Sequence, residues 1–337
     1  MVCMPPQEDI LSYRNTHKRA ERTLRSATLE EMELPRLIAV DMDGTLLHSD
    51  GHLTPRTIAA LRLAHDAGAE VVVATGRRHS FAMRALREHN LPASNALISS
   101  NGTVIRTIGS ELIYHTHMPV ATARWLCEHA ADFRNTLVLT FDTVGPDGDD
   151  SRGALVCEHL DDLHASIGRW MDSNAPYIAQ VARLEDALLG DPPIQMMLCG
   201  TLDRMAEAEA VLLQHSKVTG VGGTARDDAE ITLHRTSYPE RDLSIVDILP
   251  AGCSKASALQ HLAELRGLTM RDVLAIGDNW NDLPMLEAAG RAVLMANAPE
   301  ELLQIAAQRG WTIARSNDED GVAEIVEGIF AAATVSR

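Results

Sequence analysis

The feature that most restricts the fold of this chain is a rhythm that starts, stops and starts again. From Leu37, short apolar runs alternate with helix-like segments: LIAV, TPRTIAALRLAHDAG, EVVVATGRR, a helix near residues 80–89, then NALISS. The alternation returns in SKASALQHLAELRG, RDVLAIGDNWNDLPMLEAAG, RAVLMANAPEELLQIAAQ and WTIARSNDEDGVAEIVEGIF. Apolar strands separated by single helices build parallel βαβ units, in a sheet covered on both faces. Local signals agree: Thr54 can cap the first helix, Pro55 suits its first turn and Gly68 its end.

Between about residues 104 and 245 the rhythm changes. TVIRTIGSELIYHTH reads as a hairpin turning near Gly109-Ser110. A helix (ATARWLCEHAADF), a strand (TLVLTFDT), a polar loop (GPDGDDSRG), a helix (HLDDLHASIGRWM), a strand (IQMMLCG) and a helix (LDRMAEAEAVLLQH) follow, before the strands AEITLHR and LSIVDIL. This predicts an α+β insert with an antiparallel sheet. The expected organisation is an N-terminal extension, helical or disordered, over 1–35; an α/β core from 36–103 and 246–337; and an inserted domain over 104–245.

Composition narrows the class of function. At 337 residues the chain exceeds one small core, and 45% hydrophobic with 23% charged residues is ordinary for a globular protein. The net charge of −17 argues against nucleic acid as a partner, because such binding needs a basic surface. It also repels anionic substrates at long range, so a phosphate site must be built locally. No run approaches the roughly 20 apolar residues of a membrane span, and the N-terminus is charged where a signal peptide is apolar. A cytoplasmic protein with no membrane contact is expected. Five cysteines without a CxxC pair point to reduced thiols.

Four short motifs stand where core strands or helices begin or end, which is where open α/β sheets build sites. In Asp41-Met42-Asp43-Gly44-Thr45, alternation along an extended segment lets Asp41 and Asp43 share one side while Met42 points away. Two carboxylates there are costly without a cation or a shared proton. Thr75-Gly76-Arg77 offers a strand-end hydroxyl and a glycine that lets a phosphate approach the backbone. Lys255 opens a helix, where an ammonium beside helical N–H groups clamps anions. Asp278 and Asp282 follow the strand VLAI. Taken singly, each has an ordinary structural explanation in turns, strand exits or solvated surface. Their joint order within one interrupted α/β domain does not.

With DMDGTLL, TGR, SSNG, GCSKASAL, GDNWND-LPML and LMANAPEELL, residues 36 to 330 resemble the haloacid dehalogenase (HAD) superfamily of phosphohydrolases, in particular the Cof-type group with a C2B-type α/β cap. The resemblance implies a Rossmannoid core with the insert as a substrate-specificity cap. It implies a Mg²⁺-dependent phosphatase of a small phosphorylated metabolite, such as a sugar phosphate, with no obligate protein partner. Asp41 would be the nucleophile, forming an aspartyl-phosphate, and Asp43 the general acid and base. Asp41, the Asp43 carbonyl and Asp278 would hold Mg²⁺. Thr75, Lys255, Asn281 and backbone near Met42 and Gly76 would hold the phosphoryl group, with Asp282 orienting Lys255 or the metal. Asn279 replaces the small residue usual after GD in the family, with Trp280 beside it. A phosphomutase of related fold and a catalytically silent phosphometabolite-binding regulator share these motifs.

Other signals read more plainly. His115 and His117 lack metal-ligand spacing, TGVGGTARDD lacks the GK[ST] of a P-loop, and GPDGDD lacks EF-hand spacing. Trp125 and Trp170 are expected in cap packing. Arg77 and Arg78 can add positive charge at the site.

Overall fold

The computed structural model describes residues 34–220, 228–238 and 241–334. The extension lies outside them up to residue 33, as does most of the glycine-rich run at 219–228. Fifteen strands form two sheets among the described residues. In chain order they are β1 (Leu37–Asp41), β2 (Glu70–Ala74), β3 (Ala96–Ser99), β4 (Val104–Thr107), β5 (Leu112–His115), β6 (Leu137–Thr140), β7 (Leu155–Cys157), β8 (Ile178–Gln180), β9 (Gln195–Gly200), β10 (Val218–Gly220), β11 (Ile231–Tyr238), β12 (Leu243–Pro250), β13 (Val273–Gly277), β14 (Arg291–Met295) and β15 (Thr312–Ala314).

The first sheet has the order β15-β14-β13-β1-β2-β3-β4-β5, parallel from β15 to β3. Its central strands β1 and β13 are buried at every position, as the apolar runs LIAV and VLAI require. On one face Leu37, Ala39, Val72 and Ala275 pack with Leu259 and Leu262 of helix Lys255–Leu265 and Leu302 of helix Glu300–Arg309. Helix Pro55–Asp66 starts as its sequence indicates: Thr54 Oγ1 accepts from Thr57 N at 3.1 Å. It is tied to helix Gly321–Thr334 by the Arg56 fork on Glu327.

The second sheet has the order β10-β11-β12-β9-β6-β7-β8. One of its faces packs Leu139, Met196, Leu198 and Val246 against Leu126 of helix Val120–His129 and Met205 of helix Leu202–Leu213. On the other face, helix Leu160–Asn174 places Leu163, Ile167 and Met171 over Val138, Leu155 and Cys199.

Two expectations about the insert need correction. Its opening hairpin, β4 and β5, pairs onto β3 and so extends the first sheet rather than the second. The cause is the tight turn Ser100–Gly102, which sends the chain straight back along β3. Ser100 and Asn101 both take left-handed φ, +49° and +53°, a conformation uncommon outside glycine. Gly102, at φ +102°, leaves no room for a Cβ against the Ser254 carbonyl, so this turn is pressed onto the start of helix Lys255–Leu265. The second sheet is also mixed, since β7 pairs parallel with β8 and β10 with β11.

Candidate active site

The strand ends of β1, β2 and β13 meet at one edge of the first sheet, because β1 lies between the other two. This register brings Asp278 to Asp41 and Thr75, which lie more than 200 residues before it in the chain. Lys255 joins them as the first residue of its helix. Ser254 caps that helix reciprocally: its Oγ accepts from Ser257 N at 3.1 Å, and Ser257 Oγ accepts from Ser254 N at 2.9 Å.

Lys255 is 0% exposed, among the largest fully buried side chains of the described residues. Its Nζ donates to Asp41 Oδ1 and, at 2.7 Å, to Asp282 Oδ1. Asp282 Oδ2 in turn accepts from the Asp278 and Asn279 amides, each at 3.0 Å. Asp278 Oδ1 accepts from Thr45 Oγ1 at 2.6 Å. Gly44 sits at φ +80°, and a Cβ there would collide with the Asp278 carboxylate. The glycine of DMDGT is therefore required both by its backbone and by the approach of Asp278.

The electrostatics stem from three buried carboxylates around one cation. Burial, with Asp282 next, holds Asp41 well above the usual carboxylate range. The same two causes push Asp278 up to about 7. Burial alone would lower Lys255, but Asp282 and Asp41 outweigh it and the ammonium is raised. Ligand oxygens of Asp41, Asp278 and Asp282 lie within 4.8 Å of one another. Such an excess of hard oxygen donors fits a hard divalent cation. Asp282 already spends both oxygens on Lys255 and backbone, so Asp41 and Asp278 are the carboxylates with capacity for it.

A cavity of about 440 Å³ opens in front of this cluster, lined by Asp41, Asp43, Thr75, Gly76 and Asn281. Lys255, Asp278 and Asp282 stand behind Asp41, and the Met42 side chain points into the core. Asp43 is partly open to solvent and is gripped by the Arg77 fork, with Nε to Oδ2 at 2.7 Å. Thr75 is buried, and its Oγ1 accepts from Arg77 N at 3.1 Å. Arg78 is buried and bound to Asp150 and, at 2.7 Å, to Asn174, so it ties the first sheet's helix to the insert.

Two groups escaped the sequence reading. Asn101, within SSNG, accepts from Asn281 Nδ2 at 3.3 Å and donates to Asp247 Oδ2 at 2.9 Å. Asp247 reaches the cavity from β12. A lone carboxylate on the inward alternation of LSIVDIL was the available signal. Trp170, expected in cap packing, both packs there and lines the cavity. Trp125 packs against the insert core and stacks on His129. His115 and His117 lie edge to face away from this site, with His115 Nδ1 3.6 Å from Asp142.

Asp247 supplies a pH prediction. Burial pushes it up to about 7, against about 3.8 in the unfolded chain. Between those values the folded state holds a proton that the unfolded state has released, so stability falls as pH rises. His79 and His234, each lowered to about 4 by burial, act with opposite sign in the same window. The wild-type profile alone is therefore mixed, but its difference from Asp247→Asn isolates the carboxyl. Asp247→Asn, which can still accept from Asn101, should gain about 2–3 kcal/mol over wild type between pH 5 and 7.5. Equal differences in denaturant melts at both pH values would refute it.

The profile of the haloacid dehalogenase-like hydrolases matches residues 38–326. The chain is 28% identical over 314 residues to the 5-amino-6-(5-phospho-D-ribitylamino)uracil phosphatase YwtE of Bacillus subtilis, covering 88% of this chain and 98% of that one. It is 30% identical over 270 residues to the HMP-PP phosphatase of Cronobacter sakazakii, covering 80% and 87%. A haloacid dehalogenase-like hydrolase from Bacteroides thetaiotaomicron superposes with a TM-score of 0.66 at 28% identity, over 88% of this chain and 99% of that chain. The expected class, a phosphoric monoester hydrolase, agrees with these relatives. Among the described residues, no helix is long and apolar enough to cross a membrane.

Proposed function

This chain belongs to the haloacid dehalogenase-like hydrolases, and we propose that it is a Mg²⁺-dependent phosphatase of a small phosphorylated metabolite. The observation that carries the reading is the buried Lys255, held between Asp41 and Asp282 with Asp278 alongside. Keeping this charge cluster out of water is costly, and a catalytic use accounts for its retention. The relatives named for phosphorylated substrates, and the modest cavity volume, support a small substrate.

On this reading the Asp41 carboxylate attacks phosphorus while the bond to the leaving oxygen breaks, and Asp43, entering the step in its protonated form, delivers that proton to the leaving oxygen. An aspartyl-phosphate remains. Asp43 then takes a proton from water as the water attacks phosphorus, which frees phosphate and restores Asp41. Arg77 holds the Asp43 carboxylate at the mouth of the cavity. Lys255 has three N–H donors and spends two on carboxylates, leaving one for a phosphoryl oxygen. The Thr75 hydroxyl and the Asn281 amide complete the cradle. Asp41, the Asp43 carbonyl and Asp278 would hold Mg²⁺, which offsets charge on the carboxylates and the phosphoryl group. The cap on this reading spans about residues 116–250, from the end of β5 to the end of β12.

The test is release of inorganic phosphate from an aryl phosphate and from a panel of phosphorylated metabolites. Chelation should remove activity and added Mg²⁺ restore it. Mg²⁺ alone should raise the unfolding temperature of wild type by several degrees through mass action, and leave Asp278→Ala unmoved. A wild-type protein indifferent to Mg²⁺ in both assays would defeat the metal assignment. An isomerised sugar phosphate in place of free phosphate would make the enzyme a mutase.

A further inference from the structure

The roof of the cavity is one face of the second sheet, and strand register decides which residues form it. Thr140 on β6 stands opposite Leu155 on β7 and Gln195 on β9. Met197 on β9 stands opposite Asp247 on β12. These five all line the cavity that Asp41 and Asp43 face. The alternate positions, such as Leu139 and Met196, enter the apolar core behind the sheet.

Two adjacent roof groups lack partners. Thr140 Oγ1 and Gln195 Oε1 are buried without a hydrogen bond, in residues that are 0% and 4% exposed. Folding rarely leaves such groups unpaired, because desolvating them is costly. Polar groups around them are matched: Asp247 takes the Asn101 amide, and Arg78 is bound by Asp150 and Asn174.

We infer that Thr140 and Gln195 are the specificity-determining pair of this site, and that they bind a hydroxyl of an uncharged polyol or sugar leaving group. The inference rests on the phosphatase reading above. A hydroxyl both donates and accepts, so it satisfies Thr140 and either orientation of the Gln195 amide. Leu155, Met197 and Trp170 supply apolar surface for the carbon faces of such a group. A second phosphate is poorly served here. Arg77 and Arg78 are committed to Asp43 and Asp150, Arg241 is also partnered, and the Asp247 carboxyl brings no positive charge to the roof. The preferred substrate is thus a phosphomonoester of a neutral polyol or sugar, not a diphosphate.

The test is a selectivity ratio: kcat/KM for the best polyol or sugar monophosphate, divided by kcat/KM for an aryl phosphate. In Gln195→Leu and in Thr140→Val the ratio should fall about 10-fold to 100-fold, while Thr140→Ser should keep it within about 3-fold. A change that merely loosens the fold lowers both rates and leaves the ratio in place. Gln195→Met, nearer in shape, serves if the leucine variant does not fold. An unchanged ratio in both apolar variants overturns the inference, as does a wild type that prefers a diphosphate or the aryl ester. A wild type that hydrolyses none of these esters sinks the phosphatase reading instead. Calorimetric titration with the polyol and sugar monophosphates then decides: binding that Gln195→Met loses upholds the pair, and equal or absent binding overturns it.

Discussion

Asp41→Asn is expected to lower phosphate release by about 10⁴-fold or more while leaving the fold intact, since loss of a nucleophile has effects of that order. The substitution keeps the size of the side chain, and the amide oxygen can still accept from Lys255. What disappears is the charge and lone-pair reactivity at the end of β1. Stability should not suffer, because the carboxyl is buried and held well above its ordinary range. Removing one acid from a group of three relieves repulsion. Lys255 retains Asp282 at 2.7 Å, so the cation is not orphaned. Phosphate release and denaturant melts on the same preparation check both halves. Full activity in this variant would show that another group attacks phosphorus.

Lys255→Met should damage both stability and catalysis. Methionine fills a similar volume but leaves Asp41, Asp282 and Asp278 buried without their cation. Breaking a buried pair by removing one partner costs about 3–5 kcal/mol, because the surviving charge is uncompensated. The loss should be largest near neutral pH and shrink in acid, where Asp41 and Asp278, both raised by burial, take up protons. Activity should fall about 10²-fold to 10³-fold through loss of transition-state charge stabilisation. Lys255→Arg is not a rescue: a planar guanidinium does not fit a fully buried pocket shaped to a compact ammonium. Melts near pH 5 and 7.5, with rates measured alongside, check the claim. A variant as stable as wild type at pH 7.5 would mean that the three carboxyls do not share a buried field.

The residues behind both expectations are legible in the chain because the acid and base groups sit at strand and helix ends. LIAV and VLAI are uninterrupted apolar runs, and such runs in βαβ order become central parallel strands. The residues at their C-terminal ends must therefore emerge at one edge of the sheet. Asp41, Thr75 and Asp278 are thus placed by local pattern plus a topological rule. Ser254 and Ser257 likewise announce a capped helix with Lys255 at its start.

The insert was less readable because its identity depends on pairing. A hairpin such as β4 and β5 looks the same in sequence whichever sheet it joins. Its destination was decided by the left-handed turn at Ser100 and Asn101 and by the closeness of Gly102 to Ser254. The chemistry of the site is written locally in the chain: two carboxylates after one strand, a hydroxyl after another, a lysine opening a helix. The surface facing that chemistry is set by tertiary pairing alone. Thr140, Gln195 and Asp247 are ordinary polar residues until register turns them onto one face of the second sheet, over Asp41 and Asp43. The physical reason is range: strand and cap signals act over a few residues, whereas the cavity roof is built by pairings between positions such as Thr140 and Gln195 or Met197 and Asp247, far apart in the chain.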